Sequence, residues 1–471
     1  MPLCEEVALA GRPNILILMT DQQRGDALGC AGNPWVRTAN LDRLAAGGTI
    51  FTRAYCPFPQ CSPTRASLMT GLEPIRTGIG IQADYRMFGE RTVERLDPKL
   101  PALGPLFRAA GYRTGYVGKW HLELSEPTDD LSARGFEVFH RRSPHVTDVV
   151  PVVGGAGLYR RRGIAGLGQS NESWEGWQAD RACEFLRDRA GRDEPFLLVY
   201  SDPRPHPAYN VTQADLDRYA PDDVPLWPNV HDDLAGRPIV HRRLRENIMG
   251  GFAPTDEQWR TILRHYAALV GSADRDAGKV LDGLDDCGAA ENTIVVYLSD
   301  HGDYCGAHGN LSKGVVPYEE LIRVPMVIRW PGHFRAGATC DELVTHMDIL
   351  PTLAEAAGVE IPGEIDGRSL TPLLTGRRAD WREHVVVTHH GNNYGLCTMR
   401  AAITRRYKYV YWPYDEPELY DRDADPWEMR NLAGEPALAG VVDELHAVLV
   451  EHRRRTGDRF NIAPNPPPRK G

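Results

Sequence analysis

Cys61 stands in the segment Cys61-Ser62-Pro63-Thr64-Arg65, where several residue types suited to anion chemistry meet. Ser62 is a good N-cap and Pro63 a good first helical residue, which predicts a short helix from Pro63 to Thr70 stopped at Gly71. A cysteine just outside a helix N-terminus faces free N–H groups and the positive end of the helix dipole, a place that favours anions. Arg65, one turn in, adds positive charge. Such a thiol is expected to be acidic and reactive. The commoner fate of a lone cysteine is inert burial. A zinc pair with Cys56 is a weaker alternative, because no second Cys or His pair follows at a suitable spacing.

Two acids carry a second signal. Asp21 follows the apolar run Asn14–Met19, and Asp300 follows Thr293–Ser299. Each has a further candidate ligand beside it, Gln22 and His301. Ligands of open α/β sheets gather beyond the carboxyl ends of the strands. Two carboxylates converging there repel one another unless a cation or a shared proton lies between them. Oxygen donors favour a hard divalent ion, Ca²⁺ or Mg²⁺, and the imidazole adds Mn²⁺ as an alternative. Either acid alone would read as a turn cap; as a pair at strand ends they point to one metal site.

Three further clusters surround this pair in the sequence. Lys119 and His121 alternate in Gly118-Lys119-Trp120-His121, so on extended backbone they would point to the same side. His206 lies among the prolines of SDPRPHP, and Lys313 lies thirteen residues after Asp300 in a glycine-rich loop. Each by itself is an ordinary surface residue. Together they describe a metal site facing an anion pocket.

These residues need a scaffold, and the chain supplies a legible one. NILILM (14–19), TGYVG (114–118), PFLLVYS (195–201), TIVVYLS (293–299) and PMVIRW (325–330) read as strands buried on both faces. Helix candidates lie between them: 41–46 stopped by Gly47-Gly48, 101–110 stopped by Gly111, and a long one from Thr255 toward Cys287 that opens with Thr255 and Gln258 in capping-box spacing. This alternation predicts an α/β fold with a large, mostly parallel sheet between helices, over residues 12–375. Past Thr375 the pattern changes to VVVTHH, MRAAITRRYKYVYW and ELYD, followed by a helix from about Pro436 to Arg455. That predicts a smaller antiparallel α+β subdomain over 376–465. The Gly/Arg-rich stretch 141–178 and the Pro/Asp/Arg-rich stretch 221–254 read as long loops rimming the site.

Composition bounds the partners. The 471 residues carry a formal charge of −10, with 42% apolar and 25% charged residues, which argues against nucleic acid or a membrane surface as the default partner. Nine cysteines, an odd number scattered over a long chain, do not form a disulfide framework. The first residues carry Glu5 and Glu6 where a secretory leader would be basic, so a cytoplasmic location is expected. Oligomeric state is not readable.

The segment CSPTRASLMTG resembles the C-x-P-x-R signature of the type I, formylglycine-dependent sulfatases of the alkaline phosphatase superfamily, and GYRTGYVGKWHL resembles their second signature. NILILMTDQQRGDALGCAGN, SDHGDYCGAHGNLSKG and ELYDRDADPWEMRNL are similar to their opening strand, metal loop and C-terminal subdomain, so the resemblance spans residues 12–434. It implies an alkaline-phosphatase-like fold and hydrolysis of sulfate monoesters, aryl or carbohydrate. It also implies that a formylglycine-generating enzyme oxidises Cys61 to formylglycine, whose hydrated aldehyde attacks sulfur with one hydroxyl and releases sulfate with the other. By position, Asp21, Gln22, Cys61, Asp300 and His301 would bind one divalent metal, Ca²⁺ first among the choices. Arg65 and Lys119 would orient the diol, and His121 would serve as base for the second step. Lys119 and Lys313 would hold sulfate oxygens, and His206 would protonate the leaving oxygen. The chain departs from the pattern at Gln22 and His301, where many sulfatases have Asp and Asn. Those two residues resemble the phosphonate and phosphate monoester hydrolases of the superfamily, which makes that activity the alternative. Lys119 and His121, which those hydrolases usually lack, favour the sulfatase.

Overall fold

The computed structural model describes residues 11–80, 95–123, 130–140, 150–151, 168–169, 176–377, 380–391, 397–460, 462–463 and 466. The continuous apolar runs form the strands of an eight-stranded sheet: β1 (Asn14–Asp21), β2 (Thr49–Phe51), β3 (Arg113–Gly118), β4 (Val138–His140), β5 (Phe196–Pro205), β6 (Thr293–Ser299), β7 (Met326–Arg329) and β8 (Ala338–Cys340). Their spatial order is β8-β2-β7-β6-β1-β5-β3-β4. All neighbours run parallel except at β7, which is antiparallel to both β6 and β2.

Alternate residues of the central strands feed two separate cores, which is why these strands lack a polar face. Ile15, Ile17, Met19, Val296 and Leu298 point to one side. Leu16, Leu18, Val295 and Tyr297 point to the other. The second side is covered by α1 (Ala39–Ala46), α4 (Trp177–Arg189) and the distal half of α6 (Asp256–Asp286), through Leu44, Leu186 and Leu284. The first is covered by α2 (Cys61–Thr70), α3 (Leu103–Ala109) and α7 (Ile349–Ala357), through Leu68, Phe107 and Leu353. The long helix α6 has the expected capping box: the Gln258 N–H donates to Thr255 Oγ1 at 3.3 Å, and the Thr255 N–H donates to Gln258 Oε1 at 2.9 Å.

A second, four-stranded sheet runs β9 (Val385–Gly391), β10 (Cys397–Ile403), β11 (Tyr407–Tyr411) and β12 (Glu418–Asp421), each antiparallel to the next. Helix α8 (Ala439–Thr456) lays Val442, Leu445 and Leu449 on Tyr409 and Leu419. The turn at Pro436–Leu438 before it is 3₁₀.

One expectation changes. The stretch 221–254 is not loop throughout, because it contains helix α5 (Ile239–Met249), whose Leu244 and Ile248 face is buried and whose end is set by Gly250 at φ 57°. Two of its polar residues are buried against the second sheet: Arg237 donates to the Tyr420 hydroxyl and His241 contacts Glu418 at 2.9 Å. Of the stretch 141–178, residues 141–149, 152–167 and 170–175 lie outside the described residues. Among the described residues, no helix is long and apolar enough to cross a membrane, and all eight described cysteines are free thiols.

Candidate active site

Strand register brings the ends of three parallel strands to one level. Thr20 of β1 pairs with Ser299 of β6, Met19 pairs with Ser201 of β5, and Ser201 also pairs with Gly118 of β3. Asp21, Asp300 and Lys119 therefore emerge side by side at the carboxyl edge. Gly118 is required here: it lies at φ +108°, and a Cβ would come within 2.0 Å of the Ser201 carbonyl oxygen.

Helix α2 delivers Cys61, but it starts earlier than Ser62 and Pro63 suggest. Gln60 is extended at φ −151°, and its carbonyl accepts from the Thr64 N–H at 3.3 Å, so Gln60 is the N-cap and Cys61 the first helical residue. Pro63 sits in the first turn, where it has no N–H to lose and no earlier carbonyl to strike. The helix ends as expected at Gly71, in the left-handed region at φ 69°.

Around Cys61 the predicted residues converge. Its sulfur lies 3.0 Å from Lys313 Nζ, 3.5 Å from Lys119 Nζ, 3.2 Å from His301 Nε2 and 3.7 Å from Asp21 Oδ1. His121 also hydrogen-bonds to it. His121 arrives by a route other than alternation on a strand: β3 ends at Gly118, and His121 turns back at φ 57°. Trp120, buried on Tyr116 and Phe136, anchors that turn. Burial pushes the Cys61 thiol up, but Lys119, Lys313 and His301 outweigh it and hold the sulfur well below the ordinary thiol range, as a thiolate. Cys56 shows the contrast. Its thiol points weakly toward the Leu321 carbonyl at 3.9 Å, and burial drives it well up.

Arg65, fully buried, acts on the two acids. Its Nε donates to Asp300 Oδ2 at 2.9 Å and one Nη to Asp21 Oδ2 at 3.2 Å; the other Nη donates to the Lys119 carbonyl and Ser201 Oγ, both at 2.8 Å. The guanidinium thus bonds to the two carboxylates, the Lys119 backbone and Ser201. Lys119 Nζ also holds Asp21, at 2.5 Å. Burial and the Cys61 charge push Asp21 up, but Lys119, His206 and Arg65 prevail and keep it ionised far below the usual carboxylate range.

His301 donates from Nδ1 to the Gly302 carbonyl at 2.8 Å, so Nε2 is the atom that faces Cys61; against burial, Asp300 and Cys61 raise the ring above the usual imidazole range and keep a proton on Nε2, which a bound cation would replace. Gln22, at φ 71°, presents its Oε1 to Lys313 Nζ at 2.8 Å, and Lys313 Nζ is 3.3 Å from His301 Nε2. Donor atoms of Asp21, Cys61, Asp300 and His301 all lie within 4.8 Å of one another, a buried group able to hold a metal ion. His206, just past β5, feels Lys313, Asp21, Lys119 and Cys61; burial and the two lysines push it down to about 3, so it is neutral in this state.

Sequence reasoning missed Asp303 and Tyr209. Asp303 Oδ2 accepts from Gln22 Nε2 at 2.6 Å and from the Tyr209 hydroxyl at 2.7 Å. Burial pushes this carboxyl up to about 6 against those hydrogen bonds. Asp303 lies inside the recognised loop, but nothing local says that it faces Gln22. His389 is buried against Phe58 and Gln60, and burial pushes it down to about 3, so it is neutral.

The sulfatase family model matches residues 13–359, more than half of the chain. The chain belongs to the sulfatase family. A second model, the C-terminal region of N-sulphoglucosamine sulphohydrolase, matches residues 306–455 of this sulfatase. An ulvan-active sulfatase of Formosa agariphila is 32% identical over 467 residues, covering 95% of this chain and 82% of its own. A solved structure in complex with its substrate, D-glucosamine-2-N,6-O-disulfate, aligns with a TM-score of 0.78 at 25% identity, over 95% of this chain and 99% of that one. The phosphonate monoester hydrolase of Agrobacterium radiobacter aligns with a TM-score of 0.79 at 26% identity, over 94% and 96%. The sulfatase is thus a sulfuric ester hydrolase with an alkaline-phosphatase-like fold.

Proposed function

We propose that this sulfatase hydrolyses the sulfate monoester of a saccharide, with residue 61, matured to formylglycine, as the nucleophile. The observation that carries this reading is the placement of Cys61 Sγ within 3.5 Å of Lys313, His301 and Lys119, beside the Asp21–Asp300 pair. The sulfur stands in for the oxygens of the hydrated aldehyde. The hydrate supplies two hydroxyls on one carbon, so one can attack sulfur and the other can release sulfate. Asp21, Asp300 and His301 fit a divalent cation, because two buried acids and an imidazole nitrogen gather within 4.8 Å, and the Gln22 carboxamide oxygen reaches the same Lys313 ammonium that contacts Cys61 and His301, close enough to join them. Such a cation, with Ca²⁺ favoured by the oxygen-rich set, lowers the pKa of a bound hydroxyl and draws charge from a sulfate oxygen.

The remaining roles follow from position. Arg65 holds Asp21 and Asp300 at a fixed separation and so shapes the cation site. Lys119 and Lys313 flank residue 61 and take the sulfate oxygens as charge-assisted donors. His121 contacts residue 61 and accepts its remaining hydroxyl proton when sulfate leaves. His206 is neutral because burial and the charges of Lys313 and Lys119 oppose its proton; a sulfate bound between the lysines would offset that repulsion, let the imidazole take a proton, and ready it to protonate the leaving oxygen. The saccharide class is supported by the ulvan-active relative and by the structural neighbour whose substrate is a doubly sulfated glucosamine.

Phosphonate-ester hydrolysis is the second reading, favoured by Gln22 and His301 and by the phosphonate hydrolase neighbour. Intact-mass and peptide analysis of active protein tests the nucleophile: residue 61 should be about 18 Da lighter than cysteine, and active protein with an intact thiol refutes it. Turnover of 4-nitrophenyl sulfate, 4-nitrophenyl phosphate and a phenylphosphonate ester, then of sulfated monosaccharides, separates the two activities. Faster phosphonate hydrolysis reverses the choice.

A further inference from the structure

A carboxamide can turn either its oxygen or its nitrogen toward a site, and the two ends have nearly the same shape. Only the oxygen serves a hard cation. At Gln22 the hydrogen bonds around the amide determine which end faces Cys61. Nε2 donates to Asp303 Oδ2 at 2.6 Å and to Ser312 Oγ at 3.2 Å, while Oε1 accepts from Lys313 Nζ at 2.8 Å. The Ser312 hydroxyl can donate or accept, so it tolerates both orientations. Asp303 does not. The Tyr209 hydroxyl donates to its Oδ2 at 2.7 Å and the Cys305 N–H donates to its Oδ1 at 2.7 Å, which commits the carboxylate to accepting. A flipped Gln22 would set Oε1 against Asp303 Oδ2 and its NH₂ against the Lys313 ammonium.

Charge adds to this. Gln22 is a neutral donor in a site otherwise built on acids, and the fully buried Asp303 sits one hydrogen bond behind it. A negative acceptor on the amide N–H polarises the carboxamide and enriches its oxygen, an effect strengthened by low local dielectric.

We propose that Asp303, held by Tyr209, is a positioning residue that fixes the Gln22 carboxamide with its oxygen toward the divalent-cation site. This rests on the reading of that site given above. An Asn at 303, its oxygen kept toward the Cys305 N–H, turns an NH₂ toward Gln22 and removes one of the two bars to the flipped amide, so the oxygen is turned away for part of the time.

The test is calorimetric titration of Ca²⁺, Mg²⁺ and Mn²⁺ into chelator-treated full-length wild type, Asp303→Asn, Gln22→Ala and the double variant, with urea midpoints as the folding control. For the cation that wild type binds most tightly, Asp303→Asn should weaken binding about 10- to 100-fold. In the Gln22→Ala background the same change should cost less than about twofold, since its route of action is gone. Equal binding by wild type and Asp303→Asn, or losses that simply multiply in the double variant, overturn the proposal and leave the cation site standing. Absence of binding by wild type overturns both. Tyr209→Phe, which leaves the Asp303 carboxylate in place, covers the case in which Asp303→Asn does not fold; it should give a loss in the same direction, and an unchanged affinity counts against the proposal.

Discussion

Arg65→Ala removes the group that joins two buried carboxylates. The guanidinium is fully enclosed and makes bonds of 2.9 Å to Asp300 and 3.2 Å to Asp21, with two more of 2.8 Å to the Lys119 carbonyl and Ser201. Two charge-assisted bonds to the acids, at about 1.5–3 kcal/mol each, give about 3–6 kcal/mol. Removing one partner of a buried ion pair costs about 3–5 kcal/mol by a separate route. Lys119 remains 2.5 Å from Asp21, so Asp300 is the acid left short, which places the expected loss near the lower end, about 3 kcal/mol. A divalent cation between the same acids supplies the missing charge, so the variant should bind Ca²⁺ more tightly than wild type and recover part of the loss. Urea unfolding followed by far-ultraviolet circular dichroism, in chelator and in saturating Ca²⁺, measures both effects. Arg65→Lys should fall between the two proteins, because an ammonium cannot bridge both acids in one plane. A variant within about 1 kcal/mol of wild type in chelator, or a gap unchanged by Ca²⁺, refutes the account of Arg65 as the clamp of the cation site.

Two further outcomes are expected. Burial and Asp366 push buried Glu73 up from 4.5 to about 8 against Arg455 and Arg382, so the folded chain binds this proton more tightly than the unfolded chain. Its contribution to stability is therefore full below pH 4.5 and declines, by up to about 1.4 kcal/mol per pH unit, as pH rises to about 8; urea midpoints across this range should fall in wild type and flatten in Glu73→Gln, and parallel profiles would contradict the assignment. His206→Asn should lower kcat for an alkyl sulfate by about 10²–10⁴-fold, but for 4-nitrophenyl sulfate, whose leaving group needs no proton, by less than about tenfold. Equal losses on both substrates would remove His206 from the proton-donor role.

The strands and the metal-site acids were legible because their signals are local. An unbroken apolar run such as TIVVYLS marks a strand buried on both faces, and an acid directly after it marks a strand end, wherever the strand sits in the sheet. The short helix at the Cys61 segment was equally legible, since caps and breakers lie within a turn of its ends; the groups that lower the thiol, Lys119, Lys313 and His301, come from distant segments. The start of α2 itself was misplaced by two residues, because Ser62 and Pro63 satisfy cap preferences that the Gln60 carbonyl overrides by accepting from Thr64. Long-range facts were decided by the fold alone. That Arg65 grips Asp21 and Asp300 rather than residue 61, that His121 reaches the sulfur from a left-handed turn, and that Asp303 stands behind Gln22 all depend on parallel register between strands far apart in the chain. Residue types and spacing determine which groups can do chemistry; the direction each one faces is set by packing across the sheet, and that information is spread over contacts that no single segment contains.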